Sequence, residues 1–228
     1  MTTITPDEMK SLETLFMSET GTPSILLMEH AAQGVAAAIA RHAPKSARVL
    51  FLCGPGNNGG DGYAAARLWC SGGGQADVWE VTSAVRGDAL TNRTLALLHG
   101  VRVLPSVDAV DVAEYAAVVD ALYGTGLNHA IEGDAAILIH RLNDNPQIPV
   151  IAVDIPSGLD GTTGRALGAD VVRAAETVTF HRIKQGLLLR QGVEYTGEIT
   201  VQPILIRPGD DLSLIHISEP TRLDVISY

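Results

Sequence analysis

Apolar residues follow two different periods along this chain. Between Pro23 and Arg41, the positions Ile25, Met28, Ala32, Val35, Ala36 and Ile39 recur at helical spacing and predict one helix, entered after a break at Gly21 and Pro23. An earlier helix is expected to begin at Thr5-Pro6-Asp7-Glu8, where a capping residue, a first-turn proline and acids suit the positive dipole end. Short apolar runs then take over at Val49 to Cys53, Ala76 to Val81, Ala116 to Asp120 and Val150 to Asp154. Helical patterns lie between them at Asp61 to Cys70, Ala89 to Leu98 and Ala135 to Asn143. This alternation reads as βαβ units, and hence as an α/β chain with a mainly parallel sheet and right-handed crossovers. Two later runs, Thr177 to Phe180 and Glu198 to Leu205, are expected to extend the sheet at an edge.

No internal repeat and no linker rich in proline, glycine and serine divides the chain, so one domain is expected over residues 1–208. The stretch from Asp211 through Leu212-Ser213-Leu214-Ile215-His216-Ile217-Ser218-Glu219-Pro220-Thr221-Arg222 resembles translated sequencing-adapter read-through. Residues 209–228 are therefore set aside from functional reasoning.

Composition narrows the function classes. The chain has 228 residues, of which 46% are hydrophobic and 18% charged, which suits a covered parallel sheet better than a disordered chain. A formal net charge of −10 argues against non-specific nucleic-acid or anionic-membrane binding, since both depend on basic surface. A polyanionic ligand would need local help from backbone amides, a helix N-terminus or a bound cation. Cys53 and Cys70 make neither a disulfide framework nor a metal cluster and are read as core thiols. The N-terminal residues lack a basic stretch followed by an apolar run, and no stretch is long enough to span a membrane, so a cytoplasmic protein is expected.

Ligands of parallel α/β sheets bind beyond the carboxyl ends of the strands, and three such ends carry acid and glycine together. They are Gly54-Pro55-Gly56-Asn57-Asn58-Gly59-Gly60-Asp61-Gly62, Asp120-Ala121-Leu122-Tyr123-Gly124-Thr125-Gly126 and Asp154-Ile155-Pro156-Ser157-Gly158-Leu159-Asp160-Gly161. The first contains Gly54-x-Gly56-x-x-Gly59, a dinucleotide fingerprint in form, with Glu80 where a ribose-binding acid would sit. That spacing alone leaves three readings open: a nicotinamide-dependent dehydrogenase, a non-catalytic nucleotide-binding or interaction domain, and glycines that only serve a tight turn. Asp61 fits plain pyrophosphate binding poorly, because a carboxylate there repels phosphate unless it is protonated, turned away or bridged by a cation. Asn58, Asp120 and Ser157 offer hard oxygen ligands for an alkali or alkaline-earth ion, and an ordinary hydrogen-bond network is the alternative.

Taken as a set, these three loops resemble the YjeF N-terminal domain family, the NAD(P)HX epimerases. Leu27-Met28-Glu29-His30-Ala31-Ala32 is similar to that family's N-terminal helix, and Lys184-Gln185-Gly186 to its late lysine-glycine segment. The resemblance covers nearly the whole chain up to about Pro208. It implies a Rossmann-like three-layer α/β/α fold and interconversion of the R and S epimers of hydrated NADH and NADPH. It implies dinucleotide contacts from Asn57, Asn58, Gly59, Gly60 and Asp61, from Gly124, Thr125, Gly126, Leu127, Asn128, His129 and Ala130, and from Asp154. It further implies one potassium ion on Asn58, Asp120 and Ser157, no organic cofactor beyond the substrate, a homodimer, and a dehydratase either fused or separate. One departure is Leu127-Asn128-His129-Ala130, which has no lysine or arginine where many relatives carry a basic residue; His129 either substitutes for it or faces solvent.

The expected chemistry is inversion of a hemiaminal. Loss of the C6 hydroxyl as water leaves an iminium that water attacks from the opposite face, a step that needs general acid and base groups. Asp154 is the residue assigned to that role, as an ionisable group at the end of a buried strand. Asp61 is the alternative, and Asp154 could instead hold ribose or the ring amide.

Overall fold

The structure is a computed structural model and describes residues 3–207. Its elements are β1 (Thr3–Ile4), α1 (Pro6–Thr20), α2 (Ser24–His42), β2 (Arg48–Cys53), α3 (Asn57–Ser71), β3 (Gln75–Glu80), α4 (Gly87–Leu98) and β4 (Arg102–Val103), then β5 (Ala117–Ala121), α5 (Gly133–Asn143), β6 (Val150–Val153), β7 (Glu176–Phe180), β8 (Ile183–Lys184), α6 (Gly192–Thr196) and β9 (Glu198–Gln202). The tail expected at residues 209–228 lies outside the described residues.

Seven strands form one sheet in the order β4-β3-β2-β5-β6-β7-β9, and every neighbouring pair is parallel. Each central strand is buried on both faces, as a parallel sheet requires. Val49, Phe51 and Cys53 of β2 and Ala117, Val119 and Ala121 of β5 share a core with α1, α2, α3 and α4. Leu50 and Leu52 point the other way, with Val118, into a core closed by α5 and the segment around Leu104 to Tyr115. Three layers result, as the Rossmann-like expectation has it. From β2 the chain turns through α3 to β3 on one side, whereas β5 lies on the other side of β2. Such a reversal opens a crevice above the strand ends.

Helix boundaries follow local chemistry. Thr5 caps α1, accepting from the Glu8 N–H at 3.2 Å while the Glu8 carboxylate accepts from the Thr5 N–H at 2.8 Å. Gly21 ends the helix in the left-handed region at φ 68°.

Two boundaries differ from expectation by more than two residues. The helix expected from Asp61 begins at Asn57, because the glycines are consumed by packing rather than by a loose loop. A Cβ on Gly54 would lie 1.6 Å from the Leu122 carbonyl oxygen, and one on Gly59 would lie 2.0 Å from that of Gly54. The strand expected to reach Leu205 stops at Gln202, where Pro203 follows and brings no N–H to the ladder. Thr177 to Phe180 and Glu198 onward do extend the sheet, with β9 at its edge.

A feature with no sequence signal is the small parallel pair β1–β8, in which Thr3 stands opposite Ile183 and Ile4 opposite Lys184. It brings the segment leading into α1 alongside the strand that carries Lys184, and this shapes the site.

Candidate functional site

Above the ends of β2, β5 and β6 lies a cavity of about 480 Å³. Its floor is the N-terminus of α3, with Gly56 at the N-cap and no side chain capping the first turn. The N–H groups of a helix's first turn have no partner within the helix, so they and the dipole present partial positive charge to the cleft.

The residues expected to touch a ligand divide into three groups. Asn57, Asn58, Asp61, Gly124, Thr125, Gly126, Leu127, His129 and Asp154 line the cavity. Gly59 and Gly60 do not; they are buried in α3, where a Cβ would collide with the Gly54 carbonyl or with Met28. Asn128 and Ala130 are also outside the lining, on the same loop as His129. The exposed His129 ring lies with Nδ1 2.8 Å from the Ala130 carbonyl.

Asp120 and Ser157 sit below the cavity, fully buried. Ser157 donates through its backbone N–H to Asp120 Oδ2 at 2.8 Å and through its hydroxyl to Asp120 Oδ1 at 2.6 Å. The same hydroxyl accepts from the Tyr123 N–H at 3.0 Å, so the loops after β5 and β6 are stitched together at this point. Burial pushes the Asp120 carboxyl up to about 6, against the pull of hydrogen bonds from Ser157 and Leu122. Asn58 reaches the same loop from α3: a Cβ on Gly124 would lie 2.9 Å from its Oδ1. Its Nδ2 is buried with no hydrogen-bond partner among the described residues.

Asp154 is arranged differently. Its backbone adopts φ 65°, a left-handed conformation that costs a non-glycine residue about 1–2 kcal/mol. Its N–H still bonds to the Val178 carbonyl of β7, so the turn comes immediately after the last ladder bond. Lys184 Nζ lies 2.6 Å from Asp154 Oδ1, and the Thr179 hydroxyl donates to the same oxygen at 3.2 Å. Lys184 is almost wholly buried and also donates to the Phe180 carbonyl at 3.0 Å.

Sequence reasoning did not find Glu13, which enters the cavity from α1 with Pro6, Met9 and Lys10, and it gave Lys184 no role. A Thr-capped helix with proline at its first position carries no signal that one of its acids faces a cleft. The β1–β8 pairing that brings it there is too short for any periodicity. Burial raises the Glu13 carboxyl to about 7, helped by the charge of Asp154 and opposed by Lys184. Asp61 is pushed well above the carboxylate range, mainly by burial and then by Asp154 and Glu13. Glu80, where a ribose acid was expected for a dehydrogenase, lies outside this lining. It takes hydrogen bonds from Arg93 at 2.7 and 2.8 Å and from the Tyr63 hydroxyl at 2.7 Å.

A wholly parallel sheet between helical layers, with its cleft at the strand reversal over a helix N-terminus, defines a Rossmann-like α/β domain. More narrowly, the chain belongs to the family described as YjeF-related protein N-terminus, whose model matches residues 24–186.

It is 35% identical over 201 residues to the NAD(P)H-hydrate epimerase of Weissella koreensis, covering 88% of this chain and 90% of that protein. It is 32% identical over 198 residues to that of Limosilactobacillus fermentum, covering 87% and 94%. The bifunctional NAD(P)H-hydrate repair enzyme Nnr of Thermanaerovibrio acidaminovorans is 36% identical over 212 residues, and there the chain spans 40% of the relative's length. Among solved structures, yeast ynu0, YNL200c, superposes with a TM-score of 0.79 over 93% of both chains at 22% identity, which shows the shared fold. Among the described residues, no helix is long and apolar enough to cross a membrane.

Proposed function

We propose that this chain is an NAD(P)H-hydrate epimerase that interconverts the R and S epimers of hydrated NADH and NADPH. The observation that carries the reading is Asp154, an acid held in a left-handed turn against Lys184, within a cleft that also receives the N-terminus of α3. The family membership and the names of the relatives support it.

The α3 N-terminus suits a phosphate of the dinucleotide, which a chain of net charge −10 attracts only through such local dipoles. The nicotinamide ring then belongs among the carboxyls, where phosphate is repelled. Ring-nitrogen donation breaks the C6–O bond as the hydroxyl takes a proton and leaves as water; water adds to the other face of the iminium and gives up a proton. Asp154 is the acid/base group of this exchange. The Asp154 carboxylate favours the cationic intermediate, and the cleft walls fix the ring.

Asn58, Asp120 and Ser157 fit a potassium ion by chemistry: all present hard oxygens, and the Asp120 carboxylate is buried with burial as its main perturbation. An ion held by these residues would supply positive charge to the site. The engagement of Glu80 by Arg93 and Tyr63 weighs against the dehydrogenase reading. The setting proposed is cytoplasmic, the assembly a homodimer, and the S epimer passes to a dehydratase, fused or separate.

A chiral assay tests the reading: purified R epimer of hydrated NADPH is mixed with the protein, with and without potassium, and S-epimer appearance is followed against the spontaneous rate. Acceleration is expected. Binding without acceleration would point to a non-catalytic pocket, and absence of binding would return the glycine loops to structural duty.

A further inference from the structure

The cleft holds more acid than a single proton transfer uses. Glu13, Asp61 and Asp154 all line it, and the one buried cation among the lining residues, Lys184, is paired with Asp154. Like charges this close in a desolvated site do not all ionise together, so some of these carboxyls keep a proton. Asp154, paired with Lys184, is the one whose charge is compensated.

Inversion at C6 also has a geometric demand. The hydroxyl leaves from one face of the ring and water enters from the other, so proton transfer is needed on both sides. The carboxyls come from different elements. Asp154 stands at the end of β6, Asp61 within α3 and Glu13 on α1. The Ile4–Lys184 pairing ties the segment entering α1 to the residue that holds Asp154, so Glu13 and Asp154 are positioned by one small sheet. Glu13 also borders a smaller chamber of about 110 Å³, shared with Asn57, Asp61 and Phe180, into which water fits.

We propose that Glu13 is the second proton-transfer residue of the cleft, acting on the ring face opposite Asp154. The inference rests on the epimerase reading above. In one direction, protonated Glu13 gives its proton to the departing C6 hydroxyl, the C6–O bond breaks, and the ring-nitrogen lone pair forms the C=N bond. Water then forms the new C6–O bond on the Asp154 side and releases its proton to the Asp154 carboxylate. The proton lost by one carboxyl equals that gained by the other, and the opposite epimer runs the same steps backward.

Glu13 suits this exchange better than Asp61. It is half-buried and its carboxyl is raised to about 7, so both protonation states are populated near neutrality, whereas Asp61 is buried and pushed well above the carboxylate range. The other titratable groups facing it are Lys10 on its own helix, Asp61 on α3, His129 after β5, Asp154, Lys184, and Asp88 across the smaller chamber.

The experiment compares wild type, Glu13→Gln and Glu13→Asp in the chiral assay across pH, with melting curves for each protein. Wild type without acceleration would remove the epimerase reading and this inference with it. With wild type active, Glu13→Gln is expected to lower kcat roughly 10²-fold with KM within about threefold, and to abolish the ionisation near neutrality in the pH–rate profile. Glu13→Asp is expected to keep that ionisation at intermediate kcat, and it carries the test if the glutamine variant does not fold. Wild-type kcat and profile in Glu13→Gln, or a Glu13→Asp protein that shows no ionisation, would overturn the assignment while leaving the epimerase reading standing.

Discussion

Adjacent strands β5 and β6 run out in the same way, an apolar run closed by or followed by aspartate and then a glycine-containing loop, yet Asp120 and Asp154 end in opposite situations. Asp120 is sealed beneath the cleft, its oxygens taken by Ser157 and the Leu122 N–H, with no cation among the causes that set its ionisation. Asp154 opens into the cleft, where Lys184 Nζ and the Thr179 hydroxyl reach its Oδ1. The local sequence does not make the difference. Partners contributed from elsewhere make it: Ser157 from the next loop in one case, and Lys184 from β8 in the other. A buried acid with only neutral donors around it suits a cation site, and a buried acid with its own lysine suits proton transfer.

The sharpest way to break the comparison is Asp154→Asn. Asparagine tolerates the left-handed turn at φ 65° and keeps an oxygen for Lys184, so the fold is retained while the proton acceptor is lost. The expected fall in kcat is roughly 10²–10⁴-fold with little change in melting temperature. Retained turnover would move the acid/base role away from Asp154.

Lys184→Met acts on the same residue through its partner. Removing one member of a buried pair leaves the other charge uncompensated, so urea unfolding should show a loss of about 3–5 kcal/mol. Adding Asp154→Asn to this variant should recover part of the loss, as expected of coupled residues. A loss below about 1 kcal/mol would mean that Asp154 is solvated as well as any surface acid.

What the sequence disclosed and what it hid follow the same division. The strands β2, β3, β5 and β6 were legible because period and burial agree there, and so was the placement of Asp120 and Asp154 at the ends of β5 and β6. The start of α3 was misplaced because glycines read as loop, although Gly54, Gly59 and Gly62 fill positions too tight for a Cβ. Glu13 was not legible at all. Its place depends on two residues of β1 pairing with two of β8, across nearly the full length of the domain, and no local pattern encodes that. Gly59, Gly60, Asn128 and Ala130 were grouped with the ligand contacts by their loops, and only the folded backbone separates them from the cavity.

On the Asp120 side the expected effects are smaller. Asp120→Asn turns an amide nitrogen toward groups that donate, the Ser157 N–H and hydroxyl, and should cost about 1–3 kcal/mol in melting experiments. Wild type should also melt higher in potassium chloride than in a bulky-cation salt of equal ionic strength, and the variant should lose that difference. Identical melting of wild type in both salts would remove the cation reading of this acid.

The smallest effect sharpens the contrast by bringing in Glu13, whose carboxyl is set mainly by burial. Glu13 is raised from 4.5 to about 7 by burial first and by Asp154 second, so the folded state keeps a proton that the unfolded chain releases over this window. The unfolded state therefore binds fewer protons there, and stability falls as pH rises from about 4.5 to about 7, then levels off. Asp61, raised for the same reasons, adds a slope of the same sign. Unfolding free energies of wild type and Glu13→Gln, measured between about pH 5 and pH 8, isolate the Glu13 share, since glutamine cannot titrate. Wild type should lose stability relative to the variant as pH rises, by less than one full proton of slope because Glu13 is only half-buried. Parallel curves would show that Glu13 ionises as freely folded as unfolded, and the cleft would then hold its acids without mutual strain.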